Sequence, residues 1–170
     1  MSDNQPTQDG IDTPYSRATA TVQSDWIDYN GHMNVGYYHV VFDMAAEPFF
    51  RWLGLDENYR KASGASTFAL ESHLNFLREV KEGDPLRFEA RLLGFDHKRF
   101  HFYQEMFHGT EGYLAASYES VSAHVDMNIR KTAPMPEMLQ ARLARIAQAH
   151  ATLERPWQIG HVMSAHPPRK

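Results

Sequence analysis

A chain of 170 residues with 42% hydrophobic and 22% charged side chains is long enough to bury one substantial core and lies away from the low-hydrophobicity, high-charge range of disordered chains. Seventeen basic residues against 21 acidic ones give a net charge of −4, and the basic residues are scattered, which argues against nucleic acid as a partner. The absence of cysteine excludes disulfides, thiolate metal sites and cysteine nucleophiles, so any chemistry falls to carboxylates, histidines, hydroxyls and backbone groups.

The opening MSDNQPTQDGIDTP is polar and acidic, with neither the apolar centre of a signal peptide nor the arginines of a transit peptide. No later apolar run reaches membrane-spanning length, so the expectation is a cytoplasmic protein without membrane contact. Residues 1–14 read as a flexible lead-in, 15–150 as a single domain and 151–170 as a C-terminal extension whose last ten residues, HVMSAHPPRK, fray. A β-type run is expected from Tyr15 to Val22. After DYNGHMN a helix begins, because Tyr38, Val41, Phe42, Ala45, Phe49 and Leu53 recur at spacings of three and four. Asn34 is its candidate cap, Gly54 its terminator, and Pro48 a point of kinking or restart.

DENYRKASGAS reads as a polar connection, after which the period changes to two. Phe68, Leu70, Leu74 and Phe76 are expected on one face of a strand, with Glu71, His73 and Asn75 on the other. Leu86, Phe88, Ala90 and Leu92 alternate along a second such strand after Gly83-Asp84-Pro85. A third runs from Arg99 to about His108, and a long fourth from Tyr113 to Asp126. Beyond TAPMP, the stripe Met138, Leu139, Leu143, Ile146 and Ala147 predicts a second helix. Consecutive strands joined by short turns imply an antiparallel sheet, hence an α+β fold with a long helix lying across a curved sheet four or five strands wide. One sheet face is then half covered, which favours a homodimer or a tetramer built from dimers.

The succession Asp28, Gly31, Tyr38, His39, Asp43 within DYNGHMNVGYYHVVFD resembles the signature of the hot-dog-fold acyl-CoA thioesterases of the 4-hydroxybenzoyl-CoA thioesterase class. The resemblance extends over the sheet order from about Tyr15 to Asp126. It implies a hot-dog fold, hydrolysis of an acyl-CoA to free acid and CoA, and no cofactor beyond the coenzyme A of the substrate. It also implies Asp28 as the catalytic carboxylate, acting as nucleophile or as general base on water, and the Val35 N–H as oxyanion donor. Elementary chemistry agrees: thioester hydrolysis needs a nucleophile or base plus donors for the oxyanion, and a helix N-terminus has free N–H groups. His32 and Asn34 depart from the usual pattern and are further catalytic candidates. Glu71 is another, because an unpaired carboxylate in an apolar strand is costly to bury. The competing reading of DYNGHMN is an Asx turn ahead of a capped helix.

Trp26, Tyr29, Tyr37 and Tyr38 cluster in sequence around Asp28, and aromatic rings that converge can hold a quaternary ammonium. Together with GHMN, ESHLNFLREV, DHKRFHFY and HVDMNIRK, this is similar to the thioesterases of carnitine breakdown, for which betainyl-CoA is the implied substrate. His73 is a further substrate-binding candidate, and Lys98, Arg99, Arg130 and Lys131 are candidates for the CoA phosphates. His124 and Asp126 have a spacing that admits a metal, but without a compact triad no metal is expected. The rival classes are a 3-hydroxyacyl-CoA dehydratase of the same fold and a non-catalytic acyl-CoA or quaternary-amine binding module.

Overall fold

The fold is organised by α1, Val35–Leu53, whose buried residues Tyr38, Val41, Phe42, Ala45, Ala46, Phe49 and Leu53 form the expected stripe. The structure is a computed structural model describing residues 10–165; the outer parts of both expected loose ends, residues 1–9 and 166–170, lie outside the described residues. Asn34 caps α1 by accepting the Gly36 N–H at 2.9 Å. Gly54 ends it at φ 98°, a left-handed conformation that disfavours any residue with a Cβ. Pro48 lies inside the helix without ending it. The carbonyl that loses its donor is that of Met44, a residue on the exposed flank, where water can replace the missing bond.

The sheet is antiparallel throughout, in the order β1-β3-β4-β5-β2. Its strands are β1 Tyr15–Thr21, β2 Ala65–Phe76, β3 Pro85–Phe95, β4 Arg99–His108 and β5 Leu114–Asp126, with β6 Lys131–Thr132 beside the end of β5. Leu86, Phe88, Ala90 and Leu92 are all buried, so the alternation read in β3 is realised. The inner face packs on α1 through ring contacts of Phe42 with Phe88 and Tyr118, and of Phe49 with Phe102. This is the α+β arrangement expected, a long helix against a curled antiparallel sheet.

Two elements differ from expectation. The polar connection contains α2, Glu57–Ser63, capped by Asp56, whose carboxylate accepts the Tyr59 N–H at 2.7 Å. It buries no residue and therefore carries no apolar stripe to betray it. In β2 the pairing slips between Ala69 and Glu71, a bulge at Leu70 that reverses the alternation. Ala69 pairs with Ser122 and Leu74 with Tyr118 on the inner face, whereas Phe68 pairs with Ala123 and His73 with Glu119 on the outer. Phe68 therefore shares a face with Glu71 and His73, not with Leu74 and Phe76.

The second long helix, α3 Glu137–His150, buries Leu139, Leu143, Ile146 and His150, while Met138 points to solvent at 86% exposure. His150 joins three segments. Its Nδ1 accepts the Leu92 N–H at 2.8 Å, its Nε2–H donates to the Asp12 carbonyl at 2.9 Å, and its ring stacks on Trp52. The chain then crosses the outer sheet face. Arg91, paired with Glu105 at 2.9 Å, donates to the Glu154 carbonyl, the Gly160 N–H donates to Glu119, and the His161 ring stacks on His73.

Candidate active site

Residues 24–34 form a small loop built to present Asp28. A 3-10 turn, Ser24–Trp26, leads into a bridge between Ile27 and Met33 that closes a tight turn. Across that turn the Gly31 N–H donates to the Asp28 carbonyl at 3.0 Å and the Asp28 N–H to the His32 carbonyl at 3.2 Å. Gly31 has φ 80°, a conformation that glycine adopts at little cost. Met33, fully buried, donates its N–H to the Val80 carbonyl and so ties the loop to the segment following β2.

The Asp28 carboxylate is oriented twice. Oδ1 accepts the Asn30 N–H at 2.8 Å, and Oδ2 faces the Asn34 side-chain amide at 3.4 Å. The Asx turn weighed against a catalytic role is therefore present, and it aims the carboxylate. Asn34 spends its other side-chain atom on the Gly36 N–H, and its carbonyl accepts the Tyr37 N–H at 3.0 Å. The backbone Val35 N–H is left without an acceptor among the described residues, in a residue that is 61% exposed. A carboxylate and a free helix N-terminal N–H thus border the same space, which is what acyl transfer to water requires of a protein.

That space is a cleft of about 540 Å³. Asp28, Tyr29, His32, Asn34, Val35 and Tyr38 line one wall, and residues 76–79 the other. Tyr38 is buried, which pushes its phenol pKa up, and its ring meets the Phe76 ring edge-on at 5.2 Å. His32 Nε2 lies 3.8 Å from the Glu79 carboxylate. Sequence reasoning missed residues 76–79 as a wall of the site; the only signal was the end of the β2 alternation at Phe76.

The remaining candidates lie elsewhere in the chain. Trp26 and Tyr37 stack on each other at 5.8 Å, and of the four aromatics only Tyr29 and Tyr38 border the cleft. Glu71, beside the bulge, and His73 belong to the outer face of β2. Lys98 precedes β4 and Arg99 begins it, and Arg130 and Lys131 follow β5, at the end of the sheet opposite to Asp28. Arg99 is held by Asp96, whose carboxyl is lowered to about 2, first by the Lys98 N–H. Arg130 lies over the Phe68 ring. His124 accepts from the Tyr59 hydroxyl at 2.7 Å and donates to the Ala133 carbonyl at 2.9 Å, so both ring nitrogens serve the packing of α2 and the chain before α3.

Residues 22–143 match the thioesterase-like superfamily. The chain is 38% identical over 148 residues to a betainyl-CoA thioesterase of Pseudomonas aeruginosa, covering 87% of this chain and 93% of that protein. It is 34% identical over 143 residues to an L-carnitine dehydrogenase/betainyl-CoA thioesterase of Rhizobium meliloti, covering 84% of this chain but 29% of that protein. Among solved structures, a Staphylococcus aureus protein in complex with CoA superposes with a TM-score of 0.82 at 26% identity, covering 90% of this chain and 97% of its own. A Pseudomonas putida protein superposes at 0.77 with 30% identity and the same coverage of both chains. No described helix is long and apolar enough to cross a membrane.

Proposed function

The chain belongs to the thioesterase-like superfamily, and from that premise we propose that it hydrolyses betainyl-CoA to free betaine and CoA, with Asp28 as its catalytic carboxylate. The observation that carries the mechanism is that the Asp28 carboxylate and the unpartnered Val35 N–H border one cleft. The thioester carbonyl sits between them. Asp28 either attacks the carbonyl carbon, giving a mixed anhydride that water then cleaves, or takes a proton from water as the water attacks. In both routes the carbonyl oxygen gains charge next to the Val35 N–H, and collapse of the tetrahedral state breaks the C–S bond and releases CoA thiolate. Asn34 positions both ends of this arrangement, since one side chain contacts Asp28 Oδ2 and the Gly36 N–H.

The betainyl group is favoured over other acyl groups by the extent of the likeness to the Pseudomonas aeruginosa enzyme, 38% over nearly the full length of both chains. CoA binding is favoured by the CoA complex of the Staphylococcus aureus neighbour.

The working unit in this proposal is a dimer. Among the described residues β2 is a free sheet edge of 12 residues that exposes Leu70 and Phe76. Pairing of two β2 edges about a two-fold axis sets the start of one β2 beside the end of the other. Lys98, Arg99, Arg130 and Lys131 of one chain then approach the Asp28 cleft of its partner, which accounts for their distance from Asp28 within one chain. The substrate assignment is tested by following thiol release from betainyl-, 4-hydroxybenzoyl-, short-, medium- and long-chain acyl-CoA. Betainyl-CoA is expected to give the highest kcat/KM, and a higher value for an aromatic or aliphatic thioester contradicts the assignment.

A further inference from the structure

A betainyl thioester imposes a short reach on whatever recognises its charge. One methylene separates the quaternary nitrogen from the carbonyl carbon, so the two atoms are about 2.5 Å apart, as in any N–C–C(=O) unit. With the carbonyl held between Asp28 and the Val35 N–H, the ammonium lies inside the same cleft. The more acidic hollow that Asp43, Glu47 and Asp56 share with Phe50 and Tyr118 is too far away within the chain. Asp43 is eight residues beyond Val35, about 12 Å along the helix. A quaternary ammonium also carries no N–H, so hydrogen bonds cannot select it; negative charge and aromatic faces can.

The cleft holds two carboxylates among its described lining residues, Asp28 and Glu79. Asp28 is committed through its contacts with Asn30 and Asn34. The Glu79 carboxylate accepts no hydrogen bond from a described residue; the nitrogens nearest to it are Lys81 Nζ at 3.7 Å and His32 Nε2 at 3.8 Å. Its side chain is 54% exposed. Arg78, which also borders the cleft, is directed away, its guanidinium 3.7 Å above the Tyr113 ring and 3.5 Å from Glu111. Beside Glu79 the Phe76 ring is 51% exposed, edge-on to Tyr38.

We infer that Glu79 is the specificity-determining anion for a cationic acyl group, with the Phe76 and Tyr38 rings receiving its methyl groups. The inference rests on the thioesterase reading and on its charged substrate. A loosely held carboxylate suits this ligand, because charge attraction without hydrogen bonds makes little demand on angle.

The test compares betainyl-CoA with 3,3-dimethylbutyryl-CoA, in which carbon replaces the nitrogen and the shape is kept. The wild-type protein is expected to prefer the charged thioester. Glu79→Gln lowers the ratio of kcat/KM values by about tenfold, chiefly through KM for betainyl-CoA, and Glu79→Asp restores most of it. A ratio unchanged by Glu79→Gln overturns the assignment while leaving the thioesterase reading intact. An equal loss on both thioesters also overturns it, because Glu79 would then act by holding His32. A wild-type protein that hydrolyses neither member of this pair, or does so without preference for the charged one, contradicts the charged substrate and this inference with it; hydrolysis of other thioesters in that case preserves the thioesterase reading.

Discussion

Asn34 serves two ends with one side chain: its oxygen caps α1 and its amide faces Asp28. Asn34→Ala is expected to cost about 1 kcal/mol of stability, the usual value of a lost N-cap. In the proposed mechanism it also lowers kcat, because Asp28 loses a contact that orients it. Thermal unfolding beside steady-state kinetics separates the two effects, and an unchanged kcat would show that Asn34 is a cap alone. His150 makes a second prediction, in pH. Its ring is buried, and burial, the largest cause, lowers its pKa from 6.5. The neutral form is the one that fits, since Nδ1 accepts the Leu92 N–H. With the folded pKa below the unfolded one, this contribution to stability is complete above about pH 6.5 and is lost as the pH falls through the folded value. Urea unfolding between pH 8 and 5 is expected to show that loss in the wild type and a shallower slope in His150→Gln; equal slopes would contradict it.

At the scale of elements, the bulge in β2 decides what is displayed at the sheet edge. It turns Phe68 to the outer face and leaves Leu74 and Phe76 toward α1. Deleting Leu70 removes the extra residue and makes the pairing continuous, Ala69 with Ser122 and Glu71 with Val121, so both halves of the strand are expected to keep their facing and the protein to retain a cooperative thermal unfolding transition; loss of the fold would contradict the bulge. The bulge also shows where sequence reading stops. The stripe of α1 and the alternation of β3 were legible because each runs unbroken over many residues against one core. Asn34 and Gly54 were legible as caps because those residue types are favoured there for local reasons. A bulge leaves no mark in composition, so Phe68 was assigned to the wrong face. α2 buries nothing and so has no period to read. In the cleft, Asp28, His32, Asn34 and Val35 were found because they are contiguous in sequence. Glu79 is far from them in sequence and is brought alongside by tertiary contacts, the Met33–Val80 backbone bond among them, which leave no local pattern to read.

For the whole molecule, the two ends of the sheet carry different chemistry, with the Asp28 loop at one end and Lys98, Arg99, Arg130 and Lys131 at the other. The proposed dimer, joined through β2, would unite them, so under that proposal oligomeric state and activity fall together. Leu70→Asp is expected to shift the protein toward monomer in sedimentation velocity and to raise KM for acyl-CoA; a wild-type protein that is monomeric and active would contradict the shared site. The measurement that tests the account most directly is thiol release from betainyl-CoA by the wild type and by Asp28→Asn, with circular dichroism to show that both are folded. The account predicts a loss of at least about a hundredfold in kcat, the lower range for removal of a catalytic acid or base, with the spectrum unchanged. A folded Asp28→Asn protein that hydrolyses betainyl-CoA as fast as the wild type would contradict it.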